Sequence, residues 1–234
     1  AMGHSETTSG ILNDIQSVGK VVKDAGRVFL VDAMSSFGGV DIPVADWGID
    51  FLVSSANKCI QGVPGFSFIL CRRDQLLASE GKARTLSLDL LDQWKTMEKD
   101  GKWRFTSPTH VVLAFSRALD ELLAEGGIAA RHRRYVENNR LLVEKMRALG
   151  FSTYIDGAHQ GPIITTFFYP AGISFTFADF YQYIKERGYA IYPGKLTEAE
   201  TFRIGNIGEI YPEDIEKLTG IIADFLAERK EAIA

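Results

Sequence analysis

Cysteine is scarce, with Cys59 and Cys71 the two among 234 residues, so a disulfide scaffold is excluded and a reducing cytosol is the expected compartment. No bond between the two is expected. No apolar run approaches the ~20 residues that a membrane-spanning helix needs. The opening "AMGHSETTSG" has neither the basic flank nor the apolar stretch of a secretory signal. Ala1-Met2-Gly3 reads as an expression scar, and the chain is expected to begin within a domain. Charge of one sign is missing too: a formal net charge of −4 gives no general attraction for nucleic acid or an anionic membrane. His4, His110, His132 and His159 show no metal-ligand spacing, which argues against a metal site. What is there, 46% apolar residues against 24% charged, suits one or two globular domains.

The first half alternates helical patterns with short apolar runs. Ile15 to Ala25 predicts a helix, followed by strands "RVFLVDA" (27–33), "DFLVSSA" (50–56) and "GFSFILC" (65–71). Continuous apolar strands between helices predict an α/β fold with a mainly parallel sheet; the third strand follows so closely that antiparallel pairing stays open. The spacing of Val112, Phe115, Leu119, Leu122 and Leu123 predicts a helix over 108–124, ended by Gly126-Gly127, and a second helix over 128–149. Its "RHRR" run (131–134) reads as a solvated helix face, since no aromatic interleaving supports a nucleic-acid patch. Strand "GPIITTFFY" (161–169), helix 177–188, strands "YAIYP" and "TFRIGNIG", and a helix from Pro212 follow in α+β order. The expected domains are therefore a large one, 1–125, and a small one, 126–234, jointed at the double glycine.

Two strand ends carry polar residues that a buried sheet does not need. Asp32 closes "RVFLVD", and Lys58 lies just past "FLVSSAN". Ligands of open α/β sheets sit beyond the carboxyl ends of the strands, so both side chains reach one crevice if the strands are neighbours. A lysine in an enclosed pocket can lose its proton and bond covalently to an aldehyde; an aspartate can keep a pyridine nitrogen protonated. Those are the two roles that a pyridoxal phosphate enzyme must fill. Alone, each residue is more often a turn former or a surface lysine. Together with Ser54, Ser55 and Asn57 in front, and Gly62, Pro64 and Gly65 behind, they favour the cofactor reading. Cys59 reads as a small packed residue, and Trp94 and Trp103 as packing residues.

"HSETTSGILN", "LVDAMSSFGG", "SSANKCIQGVPG" and "KWRFTSPTH", in that order, resemble the 2-aminoethylphosphonate:pyruvate aminotransferases, in the class V branch of fold type I pyridoxal phosphate enzymes. The resemblance extends to "RIGNIGEI". It implies that Lys58 bonds covalently to the cofactor and shuttles the proton, and that Asp32 partners the pyridine nitrogen. It places Thr7 near the ring oxygen, Asn57 (with Ser55 beside it) near the cofactor phosphate, and Thr106 at the phosphate of the neighbouring subunit, hence a homodimer. Arg203 in "TFRIGNIG" matches the arginine that binds the anionic end of the substrate, a role for which its planar fork is suited. The implied substrates are 2-aminoethylphosphonate and pyruvate. The resemblance further implies that the family's N-terminal segment is absent. The rival readings are a serine or alanine:glyoxylate aminotransferase and a non-catalytic fragment that serves dimerisation or binding. A cysteine desulfurase fits less well, because Cys71 lies at a predicted strand end rather than on a mobile loop.

Overall fold

The computed structural model describes residues 1–173, 175–194, 196 and 199–231. Its first sheet orders its four strands as β1 (Met2–Gly3), β2 (Leu30–Asp32), β3 (Phe51–Ser55) and β4 (Ser67–Cys71). β1, β2 and β3 run parallel, with Leu30 opposite Phe51 and Asp32 opposite Val53. β4 is antiparallel to β3, Phe51 facing Cys71. The alternative left open by the sequence is thus decided by length: segment 56–66 is too short for the crossover of about a dozen or more residues that parallel pairing requires.

Helix α1 (Ile15–Asp24) starts where the Asp14 carboxylate caps the Ser17 N–H at 3.0 Å. Its apolar stripe buries Ile15, with Val18 and Val22, against Phe29, Val31, Ile49 and Leu52. β2 is shorter than the predicted strand 27–33 because Asp50, fully buried, takes over its entry. The Asp50 carboxylate accepts the Phe29 N–H at 2.7 Å and pairs with Lys23 and with Arg72 (3.5 Å).

The sequence reading made no helix between 72 and 107. The structure has α2 (Arg73–Leu77) and α3 (Leu90–Asp100), the latter capped by Asp89 and closed by Gly101 in the left-handed region (φ 73°). The Trp94 ring lies under Arg73, and Trp103 meets Phe66 edge-on. α4 (Thr109–Glu125) and α5 (Gly127–Ala148) are separated at Gly126, whose φ of 108° suits glycine.

The second sheet is antiparallel, in the order β5 (Ile164–Phe168), β7 (Thr201–Gly205), β6 (Tyr192–Pro193). One face sends Phe167 and Phe202 into a core shared with Leu142 and Met146 of α5, Phe180 of α6 (Phe177–Glu186) and Phe225 of α7 (Pro212–Glu231). β6 is shorter than the predicted strand "YAIYP".

The reading of "RHRR" as a solvated face holds for the exposed Arg133 and is overturned at Arg131 and Arg134. Arg131 is 2% exposed and donates to Glu125 at 2.8 Å. Arg134 donates to the same carboxylate at 2.9 Å and to the carbonyls of Gly208 (2.6 Å) and Ile210 (3.1 Å). His132 Nδ1 donates to Gly39 O at 2.8 Å. The charges of Arg131 and Arg134 are spent inside the fold, and Arg134 fixes the segment that follows β7.

The chain forms two compact units. The first comprises Ala1–His4, Asp14–Phe37 and Ile42–Glu121; the second takes Ser5–Asn13, Gly38–Asp41 and the chain from Leu122 onward. Ser5–Asn13 is fastened to the second unit by Gly161 N–H to Gly10 O (2.8 Å) and Leu12 N–H to His159 O (2.9 Å).

Candidate active site

In the first unit, β2 and β3 are parallel neighbours, so their carboxyl ends open along one edge of the sheet. Asp32, the last residue of β2, is exposed there. Its Oδ1 accepts the Met34 N–H at 2.8 Å, which fixes the carboxylate while Oδ2 has no hydrogen-bond donor among the described residues. Its carbonyl accepts the His4 N–H at 2.8 Å. His4 is buried, shares a hydrogen bond with Ser36 Oγ (2.9 Å) and meets Trp47 edge-on. Burial pushes its pKa down to about 4, so it stays neutral at pH 7.

Lys58 sits two residues beyond the buried Ala56, in a turn closed by Gln61 N–H to Lys58 O and Gly62 N–H to Ala56 O, both 2.8 Å. Cys59 and Ile60 are buried at 0% and 1% exposure and anchor the turn from below. Lys58 and Asn57 remain half-buried, and Lys58 has no carboxylate within salt-bridge distance among the described residues. The loops after β2 and β3 are laced together: Ser54 Oγ donates to Ala33 O (3.3 Å), Ser55 Oγ to Met34 O (3.5 Å) and Cys59 Sγ to Ser35 O (3.0 Å). Ser54 is fully buried and serves this lacing, whereas Ser55 makes only the long contact. Gly62 is required by space, since a Cβ there would lie 2.7 Å from Ala56 O. Gly62→Ala is therefore expected to cost about 1–3 kcal/mol, read as a lower urea midpoint.

Thr106 is exposed on the segment between α3 and α4. Thr7 and Arg203 belong to the second unit. Arg203 is 6% exposed, on the face of β7 opposite Phe202 and Ile204. Its Nη1 donates to Thr7 O at 2.7 Å and its Nε to Pro193 O at 3.0 Å. Both acceptors are uncharged, and among the described residues no carboxylate pairs with it. Burial pushes its pKa down, with the Tyr192 phenol opposing. The structure thus joins Asp32, Ser55, Asn57 and Lys58 along one sheet edge in the first unit, and Thr7 with Arg203 in the second. The sequence reading weighed His4 only as a metal ligand and passed over Tyr192, which the antiparallel pairing of β6 with β7 sets directly beside Arg203.

The family model "Aminotransferase class-V" matches residues 1–206. The chain belongs to the class-V aminotransferase family. Within that family it is 59% identical, over 225 residues, to a 2-aminoethylphosphonate–pyruvate transaminase of Bacteroides fragilis, covering 96% of this chain and 62% of the relative. A bifunctional phosphonoacetaldehyde hydrolase/aminoethylphosphonate transaminase of Clostridioides difficile is 55% identical over 97% of this chain and 36% of its own length. This class-V chain therefore spans about three fifths of its Bacteroides relative. Among solved structures, an alanine–glyoxylate aminotransferase from Nostoc superposes with a TM-score of 0.84 at 23% identity, over 97% of this chain and 62% of that one. A pyridoxamine-pyruvate aminotransferase from Mesorhizobium loti gives 0.84 at 24%, over 95% and 59%. These two likenesses establish the fold. No helix among the described residues is long and apolar enough to cross a membrane.

Proposed function

We propose that this chain carries catalytic residues of a pyridoxal phosphate-dependent transaminase that moves the amino group of 2-aminoethylphosphonate to pyruvate, giving phosphonoacetaldehyde and alanine. The observation that carries the reading is the 59% identity to the Bacteroides fragilis transaminase over nearly the whole chain. The Clostridioides difficile relative supports it, because its name joins the transaminase to a hydrolase for phosphonoacetaldehyde, the product expected here.

The residues suit the cofactor chemically. Asp32 keeps one carboxylate oxygen available for a pyridine N–H while Met34 holds the other. Lys58 offers a primary amine on an anchored turn, and Asn57 and Ser55 stand beside it for the phosphate. Thr7 serves the ring oxygen, and Thr106 the phosphate of a second subunit. When bound, pyridoxal phosphate supplies an electron sink for the pair left by proton loss at the donor carbon. Lys58 Nζ takes that proton from the amino-bearing carbon of 2-aminoethylphosphonate and, in the second half-reaction, delivers one to Cα of the alanine product. Asp32 holds the pyridine nitrogen protonated, and Arg203 seats the phosphonate of one substrate and the carboxylate of the other.

Dimerisation in this reading is supported by exposed apolar side chains of the first unit, Leu86 at 73%, Leu88 at 82%, Phe105 at 53% and Leu113 at 65%. A cytoplasmic location belongs to this reading, and no disulfide joins Cys59 to Cys71. The test compares amino donors on the purified protein with pyridoxal phosphate. Turnover of 2-aminoethylphosphonate with pyruvate is expected to exceed that of serine or alanine with glyoxylate. The reverse order would overturn the substrate assignment, and absence of cofactor uptake would overturn the enzyme.

A further inference from the structure

Across the second sheet, Thr166 of β5, Arg203 of β7 and Tyr192 of β6 are direct partners and share one face. Of the five N–H donors of a guanidinium, Arg203 has given one to Thr7 O and one to Pro193 O. Those two bonds hold its plane without neutralising its charge. The Thr166 hydroxyl already donates to Thr8 O at 3.2 Å. Tyr192 is the remaining donor of the row. It is 57% exposed, its ring lies 5.7 Å from Arg203 Cζ, and its hydroxyl has no hydrogen-bond partner among the described residues.

A planar fork takes two oxygens of an anion in its own plane. A carboxylate has no third oxygen, whereas a tetrahedral phosphonate has one that leaves that plane and needs a donor from a neighbour. We infer that Tyr192 is a specificity-determining residue, whose phenol donates to the third oxygen of a phosphonate seated on Arg203 and gives a carboxylate nothing comparable. The inference rests on Arg203 being the anion-binding residue of the proposed function. Tyr192 thereby lets one arginine favour the phosphonate substrate while still accepting the carboxylate of its partner substrate.

The test is equilibrium binding, by titration calorimetry, of ethylphosphonate and of propionate to the purified protein and its variants. Tyr192→Phe keeps the ring beside Arg203 and removes only the hydroxyl, and its thermal midpoint is expected to match that of the parent. Ethylphosphonate binding is expected to weaken about tenfold or more, the scale of one hydrogen bond to a charged group, and propionate binding to change less than about twofold. Tyr192→His, which restores a donor, is expected to recover part of the loss. Equal weakening of both ligands, no change in either, or no ethylphosphonate binding by the parent protein would overturn the inference. A protein that shows the expected selectivity yet fails to transaminate 2-aminoethylphosphonate would sink the proposed reaction and leave the role of Tyr192 standing.

Discussion

Lys58→Ala is expected to lower transamination of 2-aminoethylphosphonate with pyruvate by about a thousandfold or more, since in the proposed function it removes the proton shuttle and the covalent attachment point together. Folding is expected to survive. The turn at 58–61 is closed through the Lys58 carbonyl, which alanine retains, and is anchored by the buried Cys59 and Ile60. An unchanged thermal midpoint with lost steady-state turnover is the expected pair of results. Borohydride reduction in the presence of pyridoxal phosphate, followed by peptide mapping, is expected to mark Lys58 in the parent protein and leave that peptide unmarked in the variant. Substantial retained turnover, or label scattered over exposed lysines, would remove Lys58 from the centre of the reaction.

Glu125→Gln is expected to destabilise the fold by about 3–5 kcal/mol, the range for breaking a buried ion pair from one side. Two cations depend on that carboxylate: Arg131, at 2.8 Å and nearly inaccessible, and Arg134, at 2.9 Å. Burial alone raises the Glu125 pKa, but the hydrogen bonds and charges of Arg134 and Arg131 outweigh it and hold the carboxyl below its ordinary 4.5. A carboxyl with a depressed folded-state pKa adds stability that is complete above its unfolded pKa and disappears as pH falls through the folded one. The gap in urea midpoint between parent and variant is therefore expected at pH 7 and narrows once the pH drops below about 4.5. A gap under about 1 kcal/mol, the worth of a surface pair, or one indifferent to acid would show that Glu125 is only superficial.

That misread run shows where a single sequence stops being informative. The apolar periods of 15–25, 50–56 and 108–124 carried their own structure, because burial of one face is written in residue spacing. "RHRR" looked solvated because its acidic partner and the carbonyls at Gly208 and Ile210 come from outside the helix. A carboxylate just before a double glycine, followed by arginines at 131 and 134 on one helical face, was the only local hint. α3 escaped because "LLDQWKTMEKD" has a narrow apolar stripe that buries only Leu91. At the candidate site the chemistry-bearing residues were legible in their types and in their places at strand ends. The supporting bonds were not: Cys59 to Ser35, His4 to Ser36 and Arg203 to Thr7 all join residues more than 20 apart in the chain.

The last of these bonds bears on how the protein can be taken apart. Arg203 leans on the Thr7 carbonyl, 196 residues upstream, although most of its unit begins only at Leu122. The polypeptide passes from one unit to the other at residue 5, returns at 14, leaves again at 38, returns at 42 and departs finally at 122. No single scission liberates either unit whole. Expressed from Leu122 onward, the second unit would keep Arg203 and its bond to Pro193 O but forfeit the Thr7 acceptor, so Arg203 travels with both of its acceptors only when residues 5–13 travel too.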